Sequence, residues 1–424
     1  MNCPLIKELN NGLKIAFVPY PSVGSITICL RGLAGSNYED CNEVGVAHLL
    51  EHYVTYGSKN YPSANSLRNM ITKKGGRVTG TTSRDEVAFL TKTLKEDYET
   101  GLEFLSEIFL RPTLSIDNLE KVKGTIYQEI HQNIENPQLY IGRLAYNIMF
   151  PNQRASYLNT GDIGQVAKIK HETIMKFWKK LYKPANFVIS ASGNVQPKKF
   201  IKSVEKYFNN GVDINTIRTS KPSLAPSKEF LVQVKKRNEL GQTHIRIDYI
   251  GFKTDDEKKY PALVLSKAMQ NELNAELNNT LGVDFYTLNT MSFSSNTYGL
   301  FSSYAAVNSE GVQKFFELYN RIISKFKKDL ITLDFLNLII SKIKADFEFS
   351  YEKTSLRADL YSELILFDQI ERNHKRALQK YLDVLQRNIL DIANEIFSQE
   401  PKITILDKNM TRNNIIKSFL KSKS

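Results

Sequence analysis

Residues 45–62 read GVAHLLEHYVTYGSKNYP. Apolar residues recur there at helical spacing and the run ends at Gly57, which predicts a short amphipathic helix. On a helix, positions i and i+4 lie on one face. His48 and His52 can therefore direct both imidazoles at one point, with Glu51 beside them, one residue short of the second. An imidazole pair is a common zinc-binding unit, and an adjacent carboxylate is placed to act as a base. The order is the reverse of His-Glu-x-x-His and makes an inverted zinc motif. The bland alternative is two histidines that merely share a helix face. The glutamate held between them in this register weighs against it.

Two histidines do not complete a catalytic zinc site, which takes three protein ligands and leaves a fourth position open. His131, His171, His244, His374 and Glu129 are all available as the third. Periodicity does not choose among them, and surface or capping use is the ordinary fate of such histidines.

Around the motif the chain changes character in a regular order. LKIAFVPYPSVGSITICLRGLAG (13–35) alternates and predicts two strands about a turn. SANSLRNMITKKGG (63–76) predicts a helix with Ser63 as its cap and Gly75-Gly76 as its stop. RVTGTTSRDEVAFLTKTL (77–94) returns to strand character, and long helical stretches follow before a strand in PANFVISASGNV (184–195). The polar stretch 208–228, with prolines at 222 and 226, reads as a linker. A similar order then repeats, with strands in 230–250, a helix in 260–279, strands in 284–307, helices to about 396 and a last strand, KITIL. The expectation is an α+β chain of two homologous domains, each a mostly antiparallel sheet packed with helices: 1–207, the linker 208–228, and 229–424.

With 424 residues, 42% of them hydrophobic, each half can bury a core. The net charge of +12 comes mainly from lysine, and no stripe of basic and aromatic residues points to nucleic acid. A soluble lysine-rich surface is the favoured reading of this charge, and a basic wall facing acidic or extended peptides is the alternative. The three cysteines, Cys3, Cys29 and Cys41, have no pairing pattern, so a reducing compartment, the cytoplasm, is expected. The N-terminal MNCPLIKELNNGLKI has no signal-peptide core, and no stretch reaches the length of a membrane span.

Taken together, GVAHLLEHYVTYGSKNYP, GGRVTGTTSRDEVAFL (75–90), EKVKGTIYQEI (120–130) and IKHETIMKFWKKLYKPANFVISASGNV (169–195) resemble the pitrilysin and insulysin family of zinc peptidases. The likeness is to its short two-domain type, similar to mitochondrial processing peptidase. It covers residues 10–200 well and is weaker beyond 230. It implies that Glu129, 77 residues after His52, is the third zinc ligand and that Glu51 is the catalytic base. It also implies a zinc endopeptidase acting on unfolded peptides bound as an added strand, in a clamshell chamber made by two such chains. The alternative it implies is a non-catalytic or weakly active chamber subunit.

Several positions depart from the family pattern. Val122 stands where many members carry a further glutamate, Thr79 and Gly80 replace Asn-Ala, and Phe89 replaces a tyrosine. In the second half the glycine-rich stretch is missing. Asn278 and Phe285 stand where an arginine and a tyrosine would hold the substrate, and Tyr286 falls on the opposite strand face. These losses imply a heterodimer whose other chain supplies the clamp, with a homodimer as the runner-up.

Overall fold

The computed structural model describes residues 4–209, 219, 223–279, 285–369 and 373–422. Its strands are β1 (Leu5–Glu8), β2 (Lys14–Pro19), β3 (Ser25–Gly32), β4 (Arg77–Thr82), β5 (Val87–Leu94), β6 (Phe187–Gly193), β7 (Leu231–Lys236), β8 (Thr243–Ile250), β9 (Phe285–Ser294), β10 (Gly299–Val307) and β11 (Lys402–Asp407). The helices of the first half are α1 (Val46–Tyr53), α2 (Ala64–Thr72), α3 (Tyr98–Leu110), α4 (Ile116–Glu135), α5 (Pro137–Met149), α6 (Ile163–Lys168), α7 (His171–Leu181) and α8 (Pro197–Phe208). Those of the second are α9 (Lys259–Asn279), α10 (Val312–Lys328), α11 (Leu333–Tyr351), α12 (Thr354–Leu366), α13 (His374–Leu382), α14 (Gln386–Phe397) and α15 (Arg412–Lys421).

The chain forms two compact units, and neither is continuous in sequence. The first gathers Met1–Ile130, Tyr157–Pro222 and Phe347–Asn373. Its six-stranded sheet has the order β1-β2-β6-β3-β5-β4, antiparallel except for the β2–β6 pair. β3 and β6 are central and buried along almost their whole length, so they read as apolar runs instead of alternating. β4 is an edge strand, and its RVTGTT alternates between exposed and half-buried positions. α3 and α8 cover one face, with Phe17 packed on Phe200 at 5.0 Å between ring centroids. α12 covers the other. Buried Arg31 on β3 fixes it there by pairing with Asp359 and donating from Nε to the Ser362 hydroxyl at 2.8 Å.

The second unit gathers His131–Ser156, Ser223–Asp346 and His374–Ser424. Its sheet has the order β7-β11-β8-β10-β9, with β7–β11 the parallel pair. Strand for strand this repeats β2-β6-β3-β5-β4, the pattern of a duplication. α9, α10 and α14 bury one face. α5 covers the other with Ile141 and Leu144 against Tyr304, Ala306 and Leu406. α5 and α12 hold equivalent places in the two units, and each joins a sheet built mainly from the other half of the sequence. Of the expected linker, residues 210–218 and 220–222 lie outside the described residues. No helix among the described residues is long and apolar enough to cross a membrane.

Candidate metal centre

α1 packs across edge strand β4 in the first unit. It begins at Gly45, whose φ of +93° suits glycine, and a Cβ there would lie 2.7 Å from the Thr160 carbonyl oxygen. The buried Glu39 carboxylate accepts from the Gly45 and Ala47 amides at 3.0 and 2.9 Å. It thereby satisfies first-turn donors and complements the helix dipole. At the other end, the Tyr53 hydroxyl donates to the Ser115 carbonyl at 2.6 Å, and Tyr56 meets Thr125 on α4 at 3.1 Å. Thr125 lies one turn before Glu129, so these bonds set the height of Glu129 against α1.

The three donors converge. His48 Nε2 and His52 Nε2 are 3.3 Å apart. Glu129 Oε2 lies 3.4 Å from the first and 3.5 Å from the second. A tetrahedral ion with bonds of about 2.0–2.1 Å requires donor–donor edges of about 3.3 Å. The observed triangle therefore has the size zinc needs. Two imidazoles and one carboxylate also make a catalytic type of donor set, leaving a fourth position free. This is the one such metal-capable group among the described residues. The residues fit zinc on both size and chemistry.

Glu51 Oε2 stands 3.9 Å from both histidine Nε2 atoms. The Thr82 hydroxyl donates to it at 3.3 Å. Gly80 makes its room: an added Cβ there would fall 1.9 Å from Glu51 Oε1, a collision that only displacement of the carboxylate relieves. Burial raises the Glu51 carboxyl above the ordinary glutamate range, against the opposing charge of His52 and the Thr82 bond. Burial, aided by the charge of His52, lowers His48 to about 4, so it is neutral near pH 7, the form that binds metal. His52 is raised: burial pulls it down, but the Glu129 hydrogen bond and the Glu51 and Glu129 charges outweigh that. The hydrogen bond from His52, followed by both imidazole charges, holds Glu129 low against its burial.

Of the other candidate ligands, none joins the group. His131 is exposed. His171 donates from Nε2 to the Leu114 carbonyl at 2.7 Å, and His244 Nδ1 meets the Tyr304 hydroxyl at 2.8 Å. His374 is buried at the start of α13. Val122 is fully buried in the core and Phe89 is buried on β5. Asn278 and Phe285 fall on α9 and β9, but their side chains lie outside the described residues. Sequence reasoning missed Glu39, Thr82 and the purpose of Gly80. A lone glycine inside a strand was the available signal for a close approach.

The centre opens into a cleft of about 920 Å³, whose further walls include β4, Arg68, Thr72 and Phe104.

The model of Insulinase (Peptidase family M16) matches residues 21–159, and that of the Peptidase M16 inactive domain matches residues 168–342. An uncharacterized zinc protease of Bacillus subtilis, YmxG, is 24% identical over 399 residues, covering 93% of this chain and 96% of the relative. The beta subunit of the mitochondrial processing peptidase of Saccharomyces cerevisiae is 25% identical over 270 residues, 62% of this chain and 57% of that protein. Among solved structures, a protease from Helicobacter pylori has the same fold, with a TM-score of 0.87 at 20% identity, over 96% of this chain and all of that one.

Proposed function

The chain belongs to peptidase family M16, and from that premise we propose that it is a zinc-dependent endopeptidase acting on unfolded peptides or short polypeptides. The observation that carries this reading is the triangle of His48, His52 and Glu129 donor atoms at 3.3–3.5 Å, with Glu51 3.9 Å from both imidazoles. When bound, zinc supplies a Lewis acid that acidifies water and polarises the scissile carbonyl.

The chain's own residues supply the rest. His48 and His52 present Nε2 lone pairs from one face of α1, and the Glu129 carboxylate offsets one of the metal's two charges. Glu51 accepts the proton of the attacking water and returns it to the leaving amine. Its raised pKa suits both steps, and Thr82 holds its oxygen in place. The peptide lies extended along the outer edge of β4. That strand pairs only with β5 among the described residues, leaving alternate amide and carbonyl groups to bind a backbone.

Glu51→Gln tests the reading, since it keeps the shape but cannot take the proton. Peptide turnover is expected to fall by about 10²–10⁴-fold with one zinc per chain retained. Near-normal cleavage by the Gln protein removes Glu51 from the mechanism. A second reading, a non-catalytic or weakly active subunit, is favoured by the Asn278 and Phe285 departures and by the inactive-domain match over the second half. It predicts zinc binding without turnover. Between the two lies the arrangement we favour: a heterodimer whose partner, a homologue lacking the His-x-x-Glu-His string, supplies an arginine and a tyrosine to the substrate.

A further inference from the structure

The zinc cleft has a charge that its chemistry does not use. Its acidic wall residues are Glu51 and Glu129, which face the metal site. Two carboxylates and a divalent cation cancel. What remains is Arg68 on α2 and Arg77 at the start of β4, both exposed and both lining the cleft. Among the described residues neither guanidinium has an ion pair or a side-chain hydrogen bond. Directly across the ladder from Arg77 stands Lys92 on β5, also exposed and also without an ionic partner among the described residues. Cross-strand neighbours share a face, so this is a like-charge pair held side by side, an arrangement that is destabilising in isolation. The fold carries it at the one edge where a peptide would be added.

The register gives the cations a place relative to the bond cut. Gly80 and Thr82 are the β4 residues that meet Glu51, so they mark the level of the chemistry. Arg77 is three to five residues away, about 10–17 Å along an extended strand, and the odd offset puts it with Lys92 on the strand face opposite Gly80 and Thr82, where alternate side chains of an added peptide would meet them. We propose that Arg68 and Arg77, with Lys92 across the ladder from Arg77, make this cleft select peptides carrying an aspartate or glutamate about three to five positions from the scissile bond. The inference rests on the peptidase reading and names the substrate class for that same site. Exposed charge pairs are individually weak. Two arginines that attract a glutamate and repel a lysine are expected to give about tenfold discrimination, and screening should erode it as salt rises.

The test uses ten-residue quenched-fluorescence peptides that differ only by Glu, Gln or Lys moved through the positions flanking one cleavable bond. Two readouts run in parallel: kcat/KM with the zinc-loaded wild-type protein, and binding by fluorescence anisotropy with the zinc-loaded Glu51→Gln protein. The expected result is a Glu-over-Lys ratio of about tenfold at one position about three to five residues from the bond. The ratio should shrink at 500 mM salt and invert in the Arg68→Glu/Arg77→Glu double variant. The Arg68→Gln/Arg77→Gln variant should bring it near one, and it guards against a folding defect caused by reversed charge. Equal cleavage and equal binding of the Glu and Lys peptides overturn the inference and leave the peptidase standing. Preferential binding of the Glu peptide, without cleavage of any peptide, supports the cleft's selectivity and rules out turnover by the chain alone. A Glu preference that survives both double variants assigns it to other residues and overturns the proposal.

Discussion

Glu129→Gln separates a zinc ligand from a carboxylate that merely sits near two histidines. The substitution keeps volume and leaves α4 intact, because Glu129 is half-exposed. In metal-free protein the loss is small. The hydrogen bond and ion pair to His52 are partly exposed, and such a pair contributes no more than about 1 kcal/mol. With zinc the difference is large. Oε2 closes a triangle whose edges of 3.3, 3.4 and 3.5 Å match a tetrahedral zinc, and the amide removes both the negative donor and its offset of the metal's charge. Even a group that only orients a ligand is worth about 10–100-fold in affinity, so losing a ligand should cost at least about 100-fold.

That figure sets a thermal signature. With free zinc buffered at 100 times the wild-type Kd, binding stabilises the native state by about 2.7 kcal/mol. At the same free zinc a protein bound 100-fold more weakly is half loaded and gains only about 0.4 kcal/mol. For a unit of this size each kcal/mol moves Tm by about 2–4 °C. Zinc should therefore raise the wild-type Tm by about 5–10 °C and that of Glu129→Gln by about 1 °C, read by scanning calorimetry with and without a chelator. The chelated proteins should melt within about 3 °C of each other. A full zinc-dependent shift in Glu129→Gln would refute the assignment of Glu129, whatever the variant does to peptide cleavage.

Two further outcomes follow from other parts of the molecule. Lys402 opens β11 fully buried, donating from Nζ to the Glu400 carbonyl at 2.8 Å, and burial lowers its pKa to about 8 from the ordinary 10.5. Between those values the unfolded chain binds more protons, so this group makes stability rise with pH from about 8 to 10.5. Lys402→Met should abolish that rise and stabilise the protein at pH 7 by at most about 3 kcal/mol, less the cost of leaving the Glu400 carbonyl unpaired. The Tm difference between variant and wild type at pH 7, 9 and 10.5 should shrink steadily, and a constant difference refutes the charge account. The second outcome concerns the partner: the purified chain should bind zinc yet cleave peptides slowly, and a homologue bearing the arginine and tyrosine should raise the rate, whereas full activity from a homodimer would exclude the heterodimer.

Local signals were legible where one stretch of chain carries its own answer. HLLEH placed two donors and a carboxylate on one helix face, and the structure keeps them there. The strands of both halves are marked by β-branched residues and turn signals, although the buried β3 and β6 do not alternate, and their repeated order anticipated the repeated sheet topology. Glu129 was different. Its partners lie 77 residues away or more, and nothing local separates it from the other candidate ligands, so only the family resemblance selected it. Glu39 was invisible for the same reason, being a cap supplied from a loop outside the helix it serves. The exchange of α5 and α12 was also hidden. An amphipathic pattern states that a helix face is buried, but it does not say against which sheet.

The duplication clarifies what the fold contributes and what it does not. Both units present the same strand ladder, with an edge strand (β4 or β9) flanked by helix on one face. In the first unit the connection from β3 to the edge strand breaks into α1 and α2. The break leaves α1 short, capped by Glu39 and tilted onto β4 at Gly80, where a side chain on the strand would collide with the base. In the second unit the connection from β8 is the single 21-residue helix α9. It contains no histidine or cysteine, and its Glu272 and Glu276 are spent on Lys325 and Arg321 of α10. Among the described residues the same frame thus holds a complete donor set in the first unit and none in the second. The difference lies in a handful of side chains and one broken helix, so the activity must be argued from α1 and α4 and not from the architecture the two units share.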